Sequence, residues 1–258
     1  MDFQTITLDI AAGIATITLN RPSVMNALSR QLRLEMSAAL QTASEQARVL
    51  VITGAGRAFC SGQDLTDAAQ HGALDLEKTL NDEYVPLLMA IANCPIPTIA
   101  AVNGAAAGAG ANLAMAADVV IAAASASFIQ AFTRIGLVPD AGGTYWLPRQ
   151  IGMARAMGAM LFADRVSAQQ AADWGMIYEC VPDQDFAAHV QARAAHLAAG
   201  PTRAYHGIKT ALRAAPGNDL ATQLALEARL QGICGRTADF QEGVAAFLGK
   251  RAARFSGR

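Results

Sequence analysis

The chain has 258 residues, of which 53% are hydrophobic and only 16% charged, and its 20 basic and 21 acidic side chains leave a formal net charge of −1. A chain this long can bury a large core without disulfides or a structural metal, and an apolar fraction this high argues against global disorder. The near-neutral balance lacks the basic excess that holds nucleic acid, so no nucleic-acid partner is expected. So little charge leaves apolar surface that other subunits would cover.

The first 20 residues carry no basic leading segment and no uninterrupted apolar stretch, so they do not read as a secretory signal. No run approaches the roughly 18 apolar residues of a membrane span; the nearest, residues 96–120, is broken by Asn103, Asn112, Asp118 and several glycines. A cytoplasmic protein with no membrane partner is expected. Cys60, Cys94, Cys180 and Cys234 are far apart and show no CxxC spacing, which suits reduced, buried thiols. His71, His189, His196 and His206 are equally scattered, and no metal site is expected.

In chain order, residues 3–10 and 14–19 are β-branched runs separated by Ala11, Ala12 and Gly13, which predicts a hairpin. The spacing predicts a helix over 30–48, with Leu32, Met36, Leu40 and Ala43 on one face and Ser29 as its N-cap. Residues 49–53 read as a short buried strand, and 74–93 as mostly helix with a kink or break at Pro86. A further strand is expected at 98–102, then a loop rich in Gly and Ala at 103–110, a helix at 110–117 and a strand at 119–122. Strands alternating with helices indicate βαβ-type units with right-handed connections. Beyond Gly152, amphipathic helices are expected at 153–161, 167–174, 185–199, 201–214, 219–234 and 237–250, with one strand at 178–181. The fold class is α/β: a core over residues 1–195 carrying a helical region over 196–258.

Three segments are suited to chemistry. In residues 54–65, Gly54, Gly56 and Gly62 follow a buried strand and let the backbone fold tightly and present free N–H groups. Residues 104–112 also lie between a strand and a helix, so helix N-terminal amides face whatever docks there. Without the Lys-Ser/Thr pair of a Walker A loop or GxGxxG spacing, they do not suit a dinucleotide. In residues 135–144, Asp140 follows a proline and precedes Gly142 and Gly143, which alone suits a turn or N-cap.

Together, in this order and spacing, these segments carry a family resemblance. Asn20-Arg21-Pro22, Asn26-Ala27-Leu28, Trp174-Gly175, Glu242-Gly243-Val244, Phe247 and Lys250-Arg251 extend it. The chain resembles the crotonase (enoyl-CoA hydratase/isomerase) family from end to end. The resemblance implies a crotonase-like ββα superhelix with a helical C-terminal trimerisation region, assembled as a homotrimer or homohexamer. It implies an acyl-CoA substrate, with coenzyme A part of the substrate and no separate cofactor. By motif, the backbone amides of Gln63 and Ala109 form an oxyanion hole. Proton removal beside a thioester puts negative charge on its oxygen, and losing one preorganised donor typically costs about 3–4 kcal/mol. Ser61, Asp64, Leu65, Gly108 and Gly110 flank these amides as substrate-binding positions. Asn26 and the loops 21–26 and 57–64 lie along the CoA moiety, and Lys250, from a neighbouring subunit, reaches its phosphates. Residues 67–84 are expected to supply the acyl pocket.

Family hydratases use two glutamates, and the matching positions here hold Asn112 and Phe132, also counted among the substrate contacts. Neither ionises, so hydration by that route should fail. Asp140 stands where isomerases and dehalogenases of the family keep a single carboxylate, and one carboxylate can take a proton at one carbon and return it at another. Phe132 beside it predicts a dry setting and a raised pKa. Segments 105–111, 135–140, 142–149, 174–177 and 235–251 are most similar to the family members that turn the ring epoxide 1,2-epoxyphenylacetyl-CoA into a seven-membered oxepin in phenylacetate degradation. Migration of an enoyl-CoA double bond is the alternative use of the same residues. A dehalogenase would need a pocket Trp, for which there is no clear counterpart, and a His, which residues 84–94 lack. A non-catalytic or RNA-binding module of the family is disfavoured by Asp140, the intact Gly-rich loops and the neutral charge.

Overall fold

Alternation of Ile, Thr and Leu makes β1 (Ile6–Ala11) and β2 (Ile14–Leu19) an antiparallel pair. The turn between them places Ala12 and Gly13 in the left-handed region, as a two-residue hairpin turn requires. The computed structural model describes residues 2–66 and 75–258. The hairpin opens a six-stranded sheet in the order β1-β2-β3-β5-β7-β10, in which β3 (Val49–Gly54), β5 (Thr98–Val102), β7 (Val119–Ala123) and β10 (Glu179–Val181) add in parallel. A second sheet, β4-β6-β8-β9, is built from β4 (Ala58–Cys60), β6 (Ala105–Ala107), β8 (Ser127–Ile129) and β9 (Val166–Ser167).

The two sheets are linked by a repeated corner. Each of β3, β5 and β7 leads within a few residues into a short strand of the second sheet, and the chain then enters a helix. This is the ββα superhelix. Two corners work only with glycine: a Cβ on Gly54 would lie 2.4 Å from the Ala58 carbonyl, and one on Gly104 would lie 2.1 Å from that of Arg57.

Parallel pairing requires crossovers, and helices supply them. In α1 (Arg30–Gln46), the Ser29 hydroxyl caps the first turn by accepting from the Leu32 amide at 3.2 Å, and Leu32, Met36, Leu40 and Ala43 face the core. After α2 (Leu76–Thr79), a π turn (Leu80–Tyr84) leads into α3 (Val85–Ala92). The irregularity therefore lies just before Pro86, which sits inside a continuous helical run. Lacking an N–H, Pro86 cannot make the regular backward bond, and the preceding turn widens to a π turn in which the Val85 amide donates to the Leu80 carbonyl. Every residue of α4 (Ala109–Met115) is buried. The long α5 (Gly143–Phe162) contains Pro148 and breaks at Gly152 (φ 78°, ψ 161°), so the helix expected at 153 is its second half. α6 (Ala168–Asp173) is short, and α7 (Asp183–Ala199) packs Val190, Ala194 and Ala198 against Val49, Val51 and Ile99 of the main sheet. That helix straddles position 195, where the sequence suggested a boundary. α8 (Thr202–Ala214), α9 (Leu220–Cys234) and α10 (Ala238–Leu248) follow. Lys209 anchors α8 through the carbonyls of Cys94 and Ile96 and through Asp118 at 2.6 Å. No helix of the described residues is long and apolar enough to cross a membrane.

Candidate active site

The loop after β4 and the start of α4 meet because of two glycines. Gly62 has φ +94°, and a Cβ there would stand 2.8 Å from the Ala107 carbonyl and 3.4 Å from the Ala109 nitrogen. Gly108 (φ 52°, ψ −127°) immediately precedes α4 and donates its N–H to the Ile129 carbonyl at 2.8 Å. Ala109 is the first residue of the helix, so its N–H has no acceptor within the helix. Among the described residues, neither the Gln63 nor the Ala109 backbone N–H is bonded to an acceptor. Both residues line a cavity of about 310 Å³ whose wall includes Leu65, Leu80, Phe132 and Asp140.

Asp140 enters this wall from a constrained turn, with Ala141 (φ 49°) and Gly142 (φ 81°) both left-handed. The turn is pinned at the Asp140 carbonyl, which accepts from the Gly143 amide at 2.9 Å and from Asn112 Nδ2 at 2.8 Å. Carboxyl Oδ1 is buried with no hydrogen-bond partner. Burial pushes the Asp140 pKa from its ordinary 3.8 to about 6, with only its own amide pulling the other way. The one carboxyl on the described cavity wall is therefore held well above the usual carboxylate range.

Ser61, Gln63, Leu65, Gly108, Ala109, Phe132 and Asp140, all expected from the sequence, share this cavity. Five other residues expected to contact the substrate are not on this wall. Asn26 is fully buried and spent on the backbone: Oδ1 accepts from the Arg21 amide, and Nδ2 donates to the Ala55 and Ala58 carbonyls at 2.9 and 2.8 Å. Asn112 is fully buried between Gln130 and the Asp140 carbonyl, so it holds the turn from behind. Gly110 is a packing position, where a Cβ would lie 2.4 Å from the Cys60 carbonyl. Asp64 is buried against Arg21 in a 2.7 Å ion pair. Lys250 follows α10 in a left-handed conformation and is not on the cavity wall. Of the stretch expected to supply the acyl pocket, Leu76, Thr79, Leu80 and Tyr84 do line the cavity, while residues 67–74 lie outside the described residues.

Sequence reasoning missed a buried charge cluster behind the wall. Arg33 pairs with Glu83 at 2.5 Å and reaches Gln63 Oε1 at 3.2 Å, and the Tyr84 hydroxyl donates to the same Oε1. The available signal was a charge three residues before Met36 and seven before Leu40, on the apolar face of α1. A larger cavity, about 420 Å³, lies among α8, α9 and α10, but Asp239 there is committed to the amides of Ser256 and Gly257. Among the described residues, no group of three or more His, Cys, Asp or Glu is placed to hold a metal ion.

A ββα superhelix whose cavity joins two unbonded amides to a lone carboxyl is an enzyme scaffold of the crotonase class. The family model for enoyl-CoA hydratase/isomerase matches residues 9–258, and the chain belongs to that family. It is 62% identical over 258 residues to a "Probable enoyl-CoA hydratase" of Rhodobacter capsulatus, covering 100% of both chains. It is 46% identical over 254 residues to 1,2-epoxyphenylacetyl-CoA isomerase of Escherichia coli, covering 96% of this chain and 97% of that one. A crystal structure of enoyl-CoA hydratase from Bacillus anthracis matches with a TM-score of 0.92 at 34% identity, covering 99% of this chain and 100% of that one.

Proposed function

We propose that this crotonase-family enzyme is an acyl-CoA isomerase that uses Asp140 as its single acid/base and the amides of Gln63 and Ala109 as its oxyanion hole. The observation that carries the reading is the lone carboxyl. Asp140 is the only carboxyl on the described cavity wall, because Phe132 occupies one position where hydratases keep glutamate and Asn112, at the other, is buried behind the turn.

Ionised Asp140 takes a proton from the carbon beside the thioester carbonyl. The electron pair of that C–H bond moves onto the thioester oxygen, where the two N–H donors hold the enolate. Protonated Asp140 then returns the same proton at another carbon of the conjugated system. Nothing is added or lost, so the product is an isomer. A pKa near 6 suits both halves of the shuttle. The acyl group lies against Leu65, Leu80, Phe132 and Ile135, an apolar wall that suits an uncharged ring or chain. Conversion of 1,2-epoxyphenylacetyl-CoA to its oxepin isomer is the preferred reaction, supported by the 46% identical isomerase. The carbon–carbon bond shared by epoxide and ring opens as its electron pair joins the ring double bonds, giving the seven-membered ring. The Asp140 proton shift from the α-carbon to a ring carbon completes the isomer. Shifting the double bond of a 3-enoyl-CoA uses the same residues.

Hydration of a 2-enoyl-CoA is the second reading, favoured by the name of the 62% identical relative. It needs a water and a second acid/base, which the described wall does not offer. Offering the enzyme the ring epoxide, a 3-enoyl-CoA and a 2-enoyl-CoA separates the three. Turnover of the epoxide, lowered by about a hundred-fold or more in Asp140→Asn, is the expected result; hydration of the 2-enoyl-CoA as the fastest reaction would overturn it.

A further inference from the structure

We propose that Arg33, Glu83 and Tyr84 form a clamp that fixes the direction of the Gln63 amide, making them positioning residues for the oxyanion hole. The inference rests on the reading of the Gln63 N–H as an oxyanion donor.

The need for a clamp follows from Gly62. That position must be glycine, because it packs against Ala107 and Ala109 with φ +94°. A glycine next to a functional amide leaves that amide free to rotate unless something else holds it. Part of the restraint is main-chain: Leu28 donates to the Gly62 carbonyl at 2.8 Å and accepts from the Asp64 amide at 3.3 Å. The rest acts through the Gln63 side chain. Its Oε1 accepts from the Tyr84 hydroxyl and from Arg33 Nη1 at 3.2 Å, and its Nε2 donates to the Asp64 carbonyl at 3.4 Å.

Arg33 holds both sides of this bridge at once, since the same Nη1 also donates to the Leu28 carbonyl at 2.5 Å. Only a guanidinium, with its planar fork of donors, can reach Leu28, Gln63 and Glu83 together. Its side chain is 3% exposed, so its charge needs a partner. Glu83 supplies one, accepting from Nε at 2.9 Å and Nη2 at 2.5 Å, while the Tyr84 ring lies 4.7 Å below the guanidinium carbon. Glu83 and Tyr84 are adjacent in the π turn, which brings both side chains to the Arg33 guanidinium. Burial also pushes the Tyr84 phenol upward, so its hydroxyl remains a donor across the working pH range.

Tyr84 also lines the cavity, so direct contact with the acyl group is the rival explanation. A double-mutant cycle separates them. Tyr84→Phe keeps the ring and removes the hydroxyl, and Gln63→Met keeps length and the backbone N–H but removes the acceptor. The readouts are α-proton exchange of phenylacetyl-CoA in deuterium oxide and the carbonyl stretching frequency of its carbon-13-labelled thioester when bound. We expect each single variant to lower kcat for exchange about ten-fold, a fraction of the loss from deleting an oxyanion donor. KM and Tm should hold, and part of the carbonyl shift should be lost. The double variant should be no slower than the slower single one. Equal losses for Tyr84→Phe with and without Gln63→Met would assign Tyr84 to the substrate and overturn the clamp, as would an unchanged carbonyl frequency in both singles. A wild-type enzyme that neither exchanges the proton nor shifts the carbonyl overturns the oxyanion reading and the clamp with it.

Discussion

Asp140 concentrates the chemistry in one side chain whose two protonation states differ in both activity and stability. As the base it must be ionised, so kcat/KM should rise with pH through about 6 and level off above, and Asp140→Asn should lower turnover by about 10²–10⁴. For stability, the sign follows from a folded pKa above the ordinary 3.8. The folded state binds this proton more tightly, so the contribution is complete below pH 3.8 and is lost as pH rises through 6. Asp140→Asn should therefore raise Tm at pH 8 and leave it unchanged at pH 3.5. The gain should be about 1–2 kcal/mol, less than full conversion of the shift because the cavity admits solvent. Asn112 holds the main chain of the same residue from behind. Asn112→Ala removes the pin on the Asp140 carbonyl and leaves Gln130 Nε2 without its acceptor, at a cost of about 1–3 kcal/mol in chemical denaturation. The relaxed turn should also move the kinetic pKa down toward the ordinary carboxylate range. From its neighbours alone Asp140 reads as a turn or N-cap residue, and only the family resemblance singles out its carboxyl, whereas the role of Asn112 was not legible by either route. Its sequence position marks a lost glutamate but carries no sign that the amide has turned inward to hold a main-chain oxygen.

At the scale of elements, the site is a meeting of two loops at a distance only glycine permits. Gly62→Ala puts a methyl group 2.8 Å from the Ala107 carbonyl at φ +94°. It should cost about 1–3 kcal/mol in strain and carry the Gln63 amide out of line. Turnover should fall far more than Tm, as parallel activity and melting measurements would show. The long strands and most helices were legible, because β2 and β5 are uninterrupted β-branched or apolar runs and α1 carries a clear helical face. The second sheet was not. Ala58–Cys60, Ala105–Ala107 and Ser127–Ile129 are three residues each, too short for an alternating pattern, and Ala105–Ala107 has no side chain beyond a methyl to alternate. The long α5 was half read because Pro148 and Gly152 hide its continuity. The missed strands are the layer that carries both oxyanion loops, so the site's framework was less visible than its residues.

For the whole molecule, the low charge has a location. Leu212, Leu220, Phe247 and Leu248 are each more than two-thirds exposed on the C-terminal helices. Exposed apolar side chains of this size on the C-terminal helices favour self-association, and we propose a homotrimer or homohexamer built through this region. Phe247→Glu should shift the sedimentation coefficient toward the monomer. If Lys250 completes a neighbour's CoA site, as the family resemblance suggests, KM should rise with dissociation.

The complete burial of α4 sets how the molecule comes apart. A short helix is normally a weak element that frays from its ends. This one is buried along its whole length from Ala109 to Met115, with strands of both sheets around it. The hydrogen-bonded amides of its later residues, from Asn112 to Met115, should exchange with deuterium only through global unfolding, among the slowest in the chain, whereas the unbonded Ala109 amide on the cavity wall exchanges freely and those of α8 and α10 exchange through local opening. The oxyanion scaffold would then have no partly opened form of its own: denaturant should abolish the carbonyl-polarising site and the fold in one transition, after any loosening of the C-terminal helices.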